Sequence, residues 1–194
     1  MEKTETLKDG TKVTVRTLTL KDLDKLMEFY QAIPEKDRRY LRVDVLNRDV
    51  VEQRIRLTQT GQTVRLVALR GDEIIADGTL EFSEEEWKKH QAELRVNVAR
   101  SFQHNGLGTI MLRELYNLAT AHKVEKVVVR FMRPQAAARS ICRKLGFHEE
   151  IIIPDYVRDQ KGQTHDMVIM TANMTDFWNE LEHFYSDSDW RRHR

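Results

Sequence analysis

The most constraining feature of the sequence is an alternating strand that runs through a short polar loop into a helix opened by two glycines. The strand covers Glu93 to Ala99, the glycines are Gly106 and Gly108, and the helix carries apolar residues at helical spacing. A second apolar run, Lys126 to Met132, predicts a buried strand after this helix. Strand, helix and strand in this order predict a parallel pair with a right-handed crossover.

The opening of this helix also predicts an anion site. Amides in the first turn of a helix have no intrahelical partner, and the positive end of the helix dipole lies there. Because Gly106 and Gly108 lack Cβ atoms, a diphosphate can approach the backbone. An ordinary strand-to-helix turn is the structural alternative. A P-loop is excluded by Thr109 and Ile110, and a dinucleotide fingerprint by Met111 in place of a third small residue.

The remaining periodicities predict further strands and helices along the whole chain. Strands are predicted at residues 13–18, 63–70, 73–82, 93–99, 126–132, 147–154 and 166–172. Helices are predicted from Thr19 to Ile33, from Asn47 to Leu57, from Gly106, from Pro134 to Gly146 and from Thr175 to Tyr185. The first two helices are expected to form a flap.

Composition narrows the classes of function. The 194 residues are 40% hydrophobic, which fits a folded domain, and the net charge of +1 favours neither nucleic acid nor a membrane as partner. Cys142 is the only cysteine, so no intramolecular disulfide can form, and no Cys/His spacing indicates a metal site. Without a signal-like segment or a span of bilayer length, we expect a cytoplasmic protein.

Three motifs in order resemble the GNAT family of N-acetyltransferases. Gln103, Gly106 and Gly108 form Gln-x-x-Gly-x-Gly after a Val-x-Val strand, which is similar to the coenzyme A loop of that family. Ala138 to Phe147, which ends in Lys-Leu-Gly-Phe, resembles a second family signature, and Asp9 to Arg16 resembles the first strand. The resemblance spans roughly residues 9 to 173 in the expected order.

The resemblance implies an α/β GNAT fold. Its central sheet would be mixed and mostly antiparallel, with about 6–7 strands and one splayed parallel pair, and helices would flank it. Residues 1–194 are then expected to be a single GNAT acetyltransferase domain, with a core at about 9–173 and a C-terminal helix and tail at 174–194.

The resemblance also implies acetyl-CoA as co-substrate, without a metal. Pantetheine amides would pair with the backbone near Val96 and Val98, which are otherwise plain core valines, and the diphosphate would lie on the amides that follow. The expected cofactor-binding residues are Val96, Asn97, Val98, Gln103, His104, Asn105, Gly106, Leu107, Gly108, Thr109 and Gln135.

Two residues are candidates for proton transfer. Glu93 follows Ala92 as the general base does in the protein-lysine acetyltransferase branch, although a surface glutamate at a strand start is the structural alternative. Many GNAT enzymes place a tyrosine acid seven residues after an asparagine, where this chain has Cys142 and Gln135. Cys142 is therefore the candidate donor to the leaving thiolate, or else a small packed hydrophobe.

The resemblance implies acetyl transfer to a primary amine by direct attack in a ternary complex. The amine could belong to a small molecule or to a lysine or N-terminus of a protein, and a homodimer stays open. A non-catalytic acyl-CoA-binding or regulatory domain is the alternative function, and a purely structural interaction protein is a third.

Overall fold

The computed structural model describes residues 2–186, without the side chains of residues 149, 150 and 184–186. One sheet of eight strands runs through the chain in the order β1-β2-β3-β4-β5-β6-β8-β7. The strands are β1 (Glu2–Thr6), β2 (Lys12–Thr17), β3 (Thr63–Arg70), β4 (Glu73–Phe82), β5 (Gln91–Val98), β6 (Lys126–Met132), β7 (His148–Arg158) and β8 (Thr164–Asn173).

The helices begin and end at local signals. The Asn47 side chain, for example, accepts hydrogen bonds from the amides of Asp49 and Val50 and so caps the third helix as predicted. The α-helices are α1 (Leu23–Ala32), α2 (Glu35–Arg38), α3 (Arg48–Arg56), α4 (Leu107–Ala121), α5 (Ala136–Lys144) and α6 (Met174–Ser186). Four short 3-10 helices lie at Leu20–Asp22, Leu57–Thr60, Glu86–Lys88 and Arg100–Phe102.

Strands β5 and β6 form the predicted parallel pair, and they separate after three residues. Their register runs from Gln91 opposite Lys126 to Glu93 opposite Val128. All the other neighbouring strands in the sheet pair antiparallel. From Leu94 onward, β5 has no ladder with β6, so the sheet opens there and the mixed, splayed sheet of the GNAT expectation is confirmed.

Apolar residues cover both faces of the sheet. Leu66 and Ala68 of β3 belong to one core with helices α4 and α6, whereas Val67 between them belongs to a second core with helices α1 and α3. On β5, Leu94 belongs to the first core. Because side chains alternate along a strand, its neighbours Glu93 and Arg95 face the side of α1 and α3.

The sheet has eight strands instead of the expected 6–7, because β1 was not predicted. Its sequence, Glu-Lys-Thr-Glu-Thr, has no apolar alternation, and it is held at the edge by its ladder with β2. Lys3 also forms an ion pair of 2.8 Å with the buried carboxylate of Glu114 on α4. These contacts join distant parts of the chain, so no local pattern could indicate them. Residues 187–194 of the predicted tail lie outside the described residues.

Candidate active site

The loop before α4 presents a row of amides without partners. His104 (φ 67°) and Gly106 (φ 84°) both adopt left-handed backbone conformations, which turn the chain sharply into the helix. The first hydrogen bond of the helix runs from the Ile110 amide to the Gly106 carbonyl at 3.0 Å. Within residues 2–186, the amides of 104–109 donate no hydrogen bond. The predicted anion site therefore has its donors available.

Hydrogen bonds from two side chains of the loop stabilise its conformation. The Gln103 Nε2 group donates to the Val98 carbonyl at 3.2 Å, and Asn105 Nδ2 donates to Asp9 Oδ2 at 3.1 Å. These two predicted cofactor residues thus position the loop through their side chains.

Lys8 places a cationic side chain next to the same loop. Its amide donates to the Asn105 carbonyl at 3.2 Å, and a Cβ on Gly106 would lie 3.6 Å from Lys8 Cγ. Lys8 is exposed, so its ammonium group is free to reach an anion bound at the loop. No motif marks this lysine, because it approaches the loop only through the fold.

A cavity of about 370 Å³ lies where β5 and β6 separate. Tyr30 and Arg54 line it from the side of α1 and α3, and Leu112 and Ile141 line it from α4 and α5, so the cavity reaches both faces of the sheet. Among the predicted site residues, its lining includes Val96, Asn97, Val98, Gly108, Gln135 and Cys142. It does not include Glu93, Gln103, His104, Asn105, Gly106, Leu107 or Thr109.

Gly108 borders the cavity at the first turn of α4. A Cβ added to Gly108 would lie 3.8 Å from Val98 Cγ2, which is an ordinary van der Waals contact. The fold itself therefore has room for a Cβ at this position. The neighbouring Leu107 differs, since its side chain is fully buried in the core and only its backbone can face a ligand.

Glu93 lies at the last pair of the parallel ladder between β5 and β6 and forms ion pairs with two arginines. Its side chain is 10% exposed and contacts the guanidinium groups of both Arg42 and Arg130. Glu81 stands directly opposite Glu93 on β4 and is paired with Arg95. Sequence reasoning selected Glu93 as a candidate and missed its two partners, which come from two separate segments of the chain.

A buried polar triad supports the wall of the cavity. Tyr30 donates a hydrogen bond of 2.8 Å to Asp77, and Arg65 binds the same carboxylate at 2.8 and 3.0 Å. Arg65 also donates to the Tyr30 hydroxyl at 2.7 Å. Burial raises the pKa of Tyr30, so this hydroxyl stays protonated at neutral pH.

Cys142 lines the cavity from α5, at the position where the family resemblance expects a tyrosine. The residue is partly exposed, and burial raises the pKa of its thiol to about 12. The thiol is therefore protonated at neutral pH and is a weak acid. Gln135, seven residues earlier, accepts a hydrogen bond of 2.8 Å from the Met132 amide and so closes the turn after β6.

The described residues 2–186 contain neither a candidate metal cluster nor a helix that could span a membrane. No group of three or more His, Cys, Asp or Glu side chains could hold a metal ion. None of the helices in that range has both the length and the apolar character needed to cross a bilayer.

Comparison with known families and structures adds an independent observation. The family described as Acetyltransferase (GNAT) domain matches residues 12–148. No curated protein matches the sequence.

Several solved structures share the fold at low sequence identity. The GNAT domain of S. lividans PAT superposes with a TM-score of 0.73 at 17% identity, covering 89% of this chain and 96% of that one. Ribosomal-protein-alanine N-acetyltransferase from Brucella melitensis gives 0.69 at 23% identity, with coverage of 82% and 98%. The yncA protein of Salmonella typhimurium, solved with its cofactor acetyl-CoA, gives 0.69 at 17% identity, with coverage of 84% and 94%.

Proposed function

Because the chain belongs to the GNAT acetyltransferase family, we propose that it transfers an acetyl group from acetyl-CoA to a primary amine by direct attack in a ternary complex. The observation that carries this proposal is the row of unpaired amides at 104–109 beside the cavity between β5 and β6. Amides without partners, with Lys8 beside them, suit a diphosphate, and the cavity offers room for a thioester and an amine.

Acetyl-CoA would supply the activated acetyl group, and this chain would bind and orient it. The amides of residues 104–109 would hold the diphosphate, while backbone groups at Val96 and Val98, free of any ladder with β6, would pair with the pantetheine amides. A free amide of the same strand would stabilise the oxyanion of the tetrahedral intermediate.

The acceptor nitrogen must lose a proton before it can attack, since an alkylammonium with a pKa of about 10.4 has no lone pair at neutral pH. We assign this proton to Glu93, directly or through a water molecule. Arg42 belongs to the irregular segment between α2 and α3, and the amine would take its place beside Glu93. Arg130, on β6, would then hold the remaining carboxylate oxygen.

Glu93→Gln is expected to lower kcat/KM by about 100-fold or more, in the range of general base effects. Thiol release from acetyl-CoA measures this loss. Glu81→Gln is the matched control, because it removes the opposite carboxylate and also frees one arginine. Equal losses in the two variants would remove Glu93 from proton transfer.

Cys142→Ala is expected to change kcat by less than about tenfold. The Cys142 thiol has a pKa of about 12, and an ordinary thiol has a pKa of about 8.5, so proton transfer from Cys142 to the leaving thiolate is unfavourable by roughly 3.5 powers of ten. The thiolate can leave without that proton. A loss of more than about 100-fold, restored by Cys142→Tyr, would instead assign the general acid role to this position.

A non-catalytic acyl-CoA-binding domain is the second candidate function. The ion pairs that occupy Glu93 and the absence of a tyrosine at Cys142 favour it. Thiol release with acetyl-CoA and a panel of small amines and lysine peptides separates the two. Turnover on any of these amines supports the transferase, and tight coenzyme A binding without turnover supports the binding domain.

A further inference from the structure

Arginines dominate the charged lining of the cavity. Arg54 extends from α3, Arg42 from the segment before it, and Arg130 from β6. The only carboxylate in the lining is that of Asp77, within the described residues. The full set of lining arginines is Arg42, Arg54, Arg65, Arg95 and Arg130.

The carboxylates around these arginines are too few to neutralise them. Arg65 is paired with Asp77, Arg95 with Glu81, and Glu93 is shared by Arg42 and Arg130. Arg54 has no ion pair or hydrogen bond with any residue in the described range. The cavity therefore carries excess positive charge in a place where water is partly excluded.

Two further observations fit this excess of positive charge. The Nε atom of Arg65 is buried and has no hydrogen-bond partner among residues 2–186. Burial lowers the pKa of Arg42 to about 10, and repulsion from Arg95 and Arg130 adds to this effect. Burial, followed by repulsion from Arg95, also lowers the pKa of Arg54. These guanidinium groups remain charged at neutral pH, and an anion in the cavity would relieve their repulsion.

The position of the arginines indicates whether the anionic group belongs to the coenzyme or to the acceptor amine. Arg42 and Arg54 come from the side of α1 and α3, whereas the amides of 104–109 begin α4 on the opposite face of the sheet. A coenzyme held at those amides reaches the cavity from the α4 side. The group that meets Arg54 therefore arrives on the other substrate.

We propose that the acceptor is a small amine that carries a carboxylate or phosphate group within a few bonds of its nitrogen. The cavity volume of about 370 Å³ suits a molecule of amino-acid size. This inference rests on the proposed function and specifies the acceptor class for the same site. Arg54 is its specificity residue, because it alone among the lining arginines lacks a partner in the described range.

Matched pairs of amines test the proposal in the thiol-release assay. β-Alanine is compared with β-alaninamide, and phosphoethanolamine with ethanolamine, so that the two arms separate carboxylate from phosphate. We expect kcat/KM for at least one anionic member to exceed that of its neutral partner by about tenfold or more. Spermidine, as a cationic amine, should be the poorest acceptor.

Arg54→Gln should reduce this preference by about tenfold, through a higher KM for the anionic amine with little change in kcat. Arg56→Gln is the control, since Arg56 lies on the same helix, pairs with Glu52 at the surface and does not line the cavity. KM for acetyl-CoA should be the same in both variants. An Arg54→Gln enzyme that keeps the full preference would overturn the role of this residue.

Other outcomes would overturn the acceptor class itself. Turnover of neutral amines, spermidine or lysine peptides that equals or exceeds turnover of the anionic amines would overturn it. A preference for succinyl-CoA with a neutral amine would also overturn it, because the arginines would then bind the acyl group. If no amine turns over, the proposed function fails. Calorimetry then measures whether the anionic amines bind to the coenzyme A complex of the wild type and of Arg54→Gln. Binding of either anionic amine that is lost in Arg54→Gln would support an anion site at Arg54. No such binding would refute the anion site.

Discussion

Replacing Gly108 with valine is expected to weaken coenzyme A binding by roughly 100-fold while the chain stays folded. The fold leaves space at this position, because a Cβ would meet Val98 only at 3.8 Å. The same space borders the cavity beside the unpaired amides, so a side chain there would occupy the path of the cofactor. Isothermal calorimetry with coenzyme A measures the loss, and thermal unfolding monitors the fold.

Graded variants separate this effect from helix stability. Gly108→Ala should give a smaller loss of affinity, about tenfold, because its side chain is a single methyl group. Asn117→Ala, on the exposed side of α4, is the control and should bind coenzyme A normally. Wild-type affinity in Gly108→Val would mean that the cofactor does not approach the first turn of α4. Gly106 is less suitable, since its φ of 84° makes any substitution strained.

Replacing Asp77 with alanine is expected to lower the free energy of unfolding by about 3–5 kcal/mol. The variant would leave the buried guanidinium of Arg65 without its carboxylate and the Tyr30 hydroxyl without its acceptor. Urea denaturation measures the change. Asp72→Ala is the control, because Asp72 is exposed and its ion pair with Lys25 should contribute less than about 1 kcal/mol.

A loss below about 1 kcal/mol for Asp77→Ala would contradict a structural role for the triad. It would mean that Arg65 finds another counterion or water when the carboxylate is removed. Arg65 would then be available to an anionic substrate, as we propose for Arg54, and substrate anions should stabilise the Asp77→Ala variant more than the wild type.

Local patterns in the sequence were sufficient to predict the strand, loop and helix start that form the candidate site. Gly106 opens α4 in a left-handed conformation, and the strand before the loop is one partner of the parallel pair. Both follow from backbone requirements that act over a few residues, namely freedom at positive φ and alternation along a strand. The separation of β5 from β6 came from the family resemblance, because no periodicity specifies where a ladder ends.

The electrostatics of the site could not be predicted in the same way. Arg42, Arg54 and Arg130 are far apart in sequence, and each alone reads as an ordinary surface arginine. Only tertiary packing places them around Glu93 and the cavity. Lys8 and β1 were missed for the same reason, since their contacts with the loop and with α4 are long-range.

A crystal structure of the full chain with coenzyme A tests the central claim most directly. We predict diphosphate oxygens at about 3 Å from amides in the stretch 104–109, and the pantetheine chain beside Val96 and Val98 with its sulfur in the cavity. A diphosphate bound elsewhere, with these amides facing only solvent, or β5 and β6 joined by a continuous ladder, would contradict the proposed acyl transfer at this site.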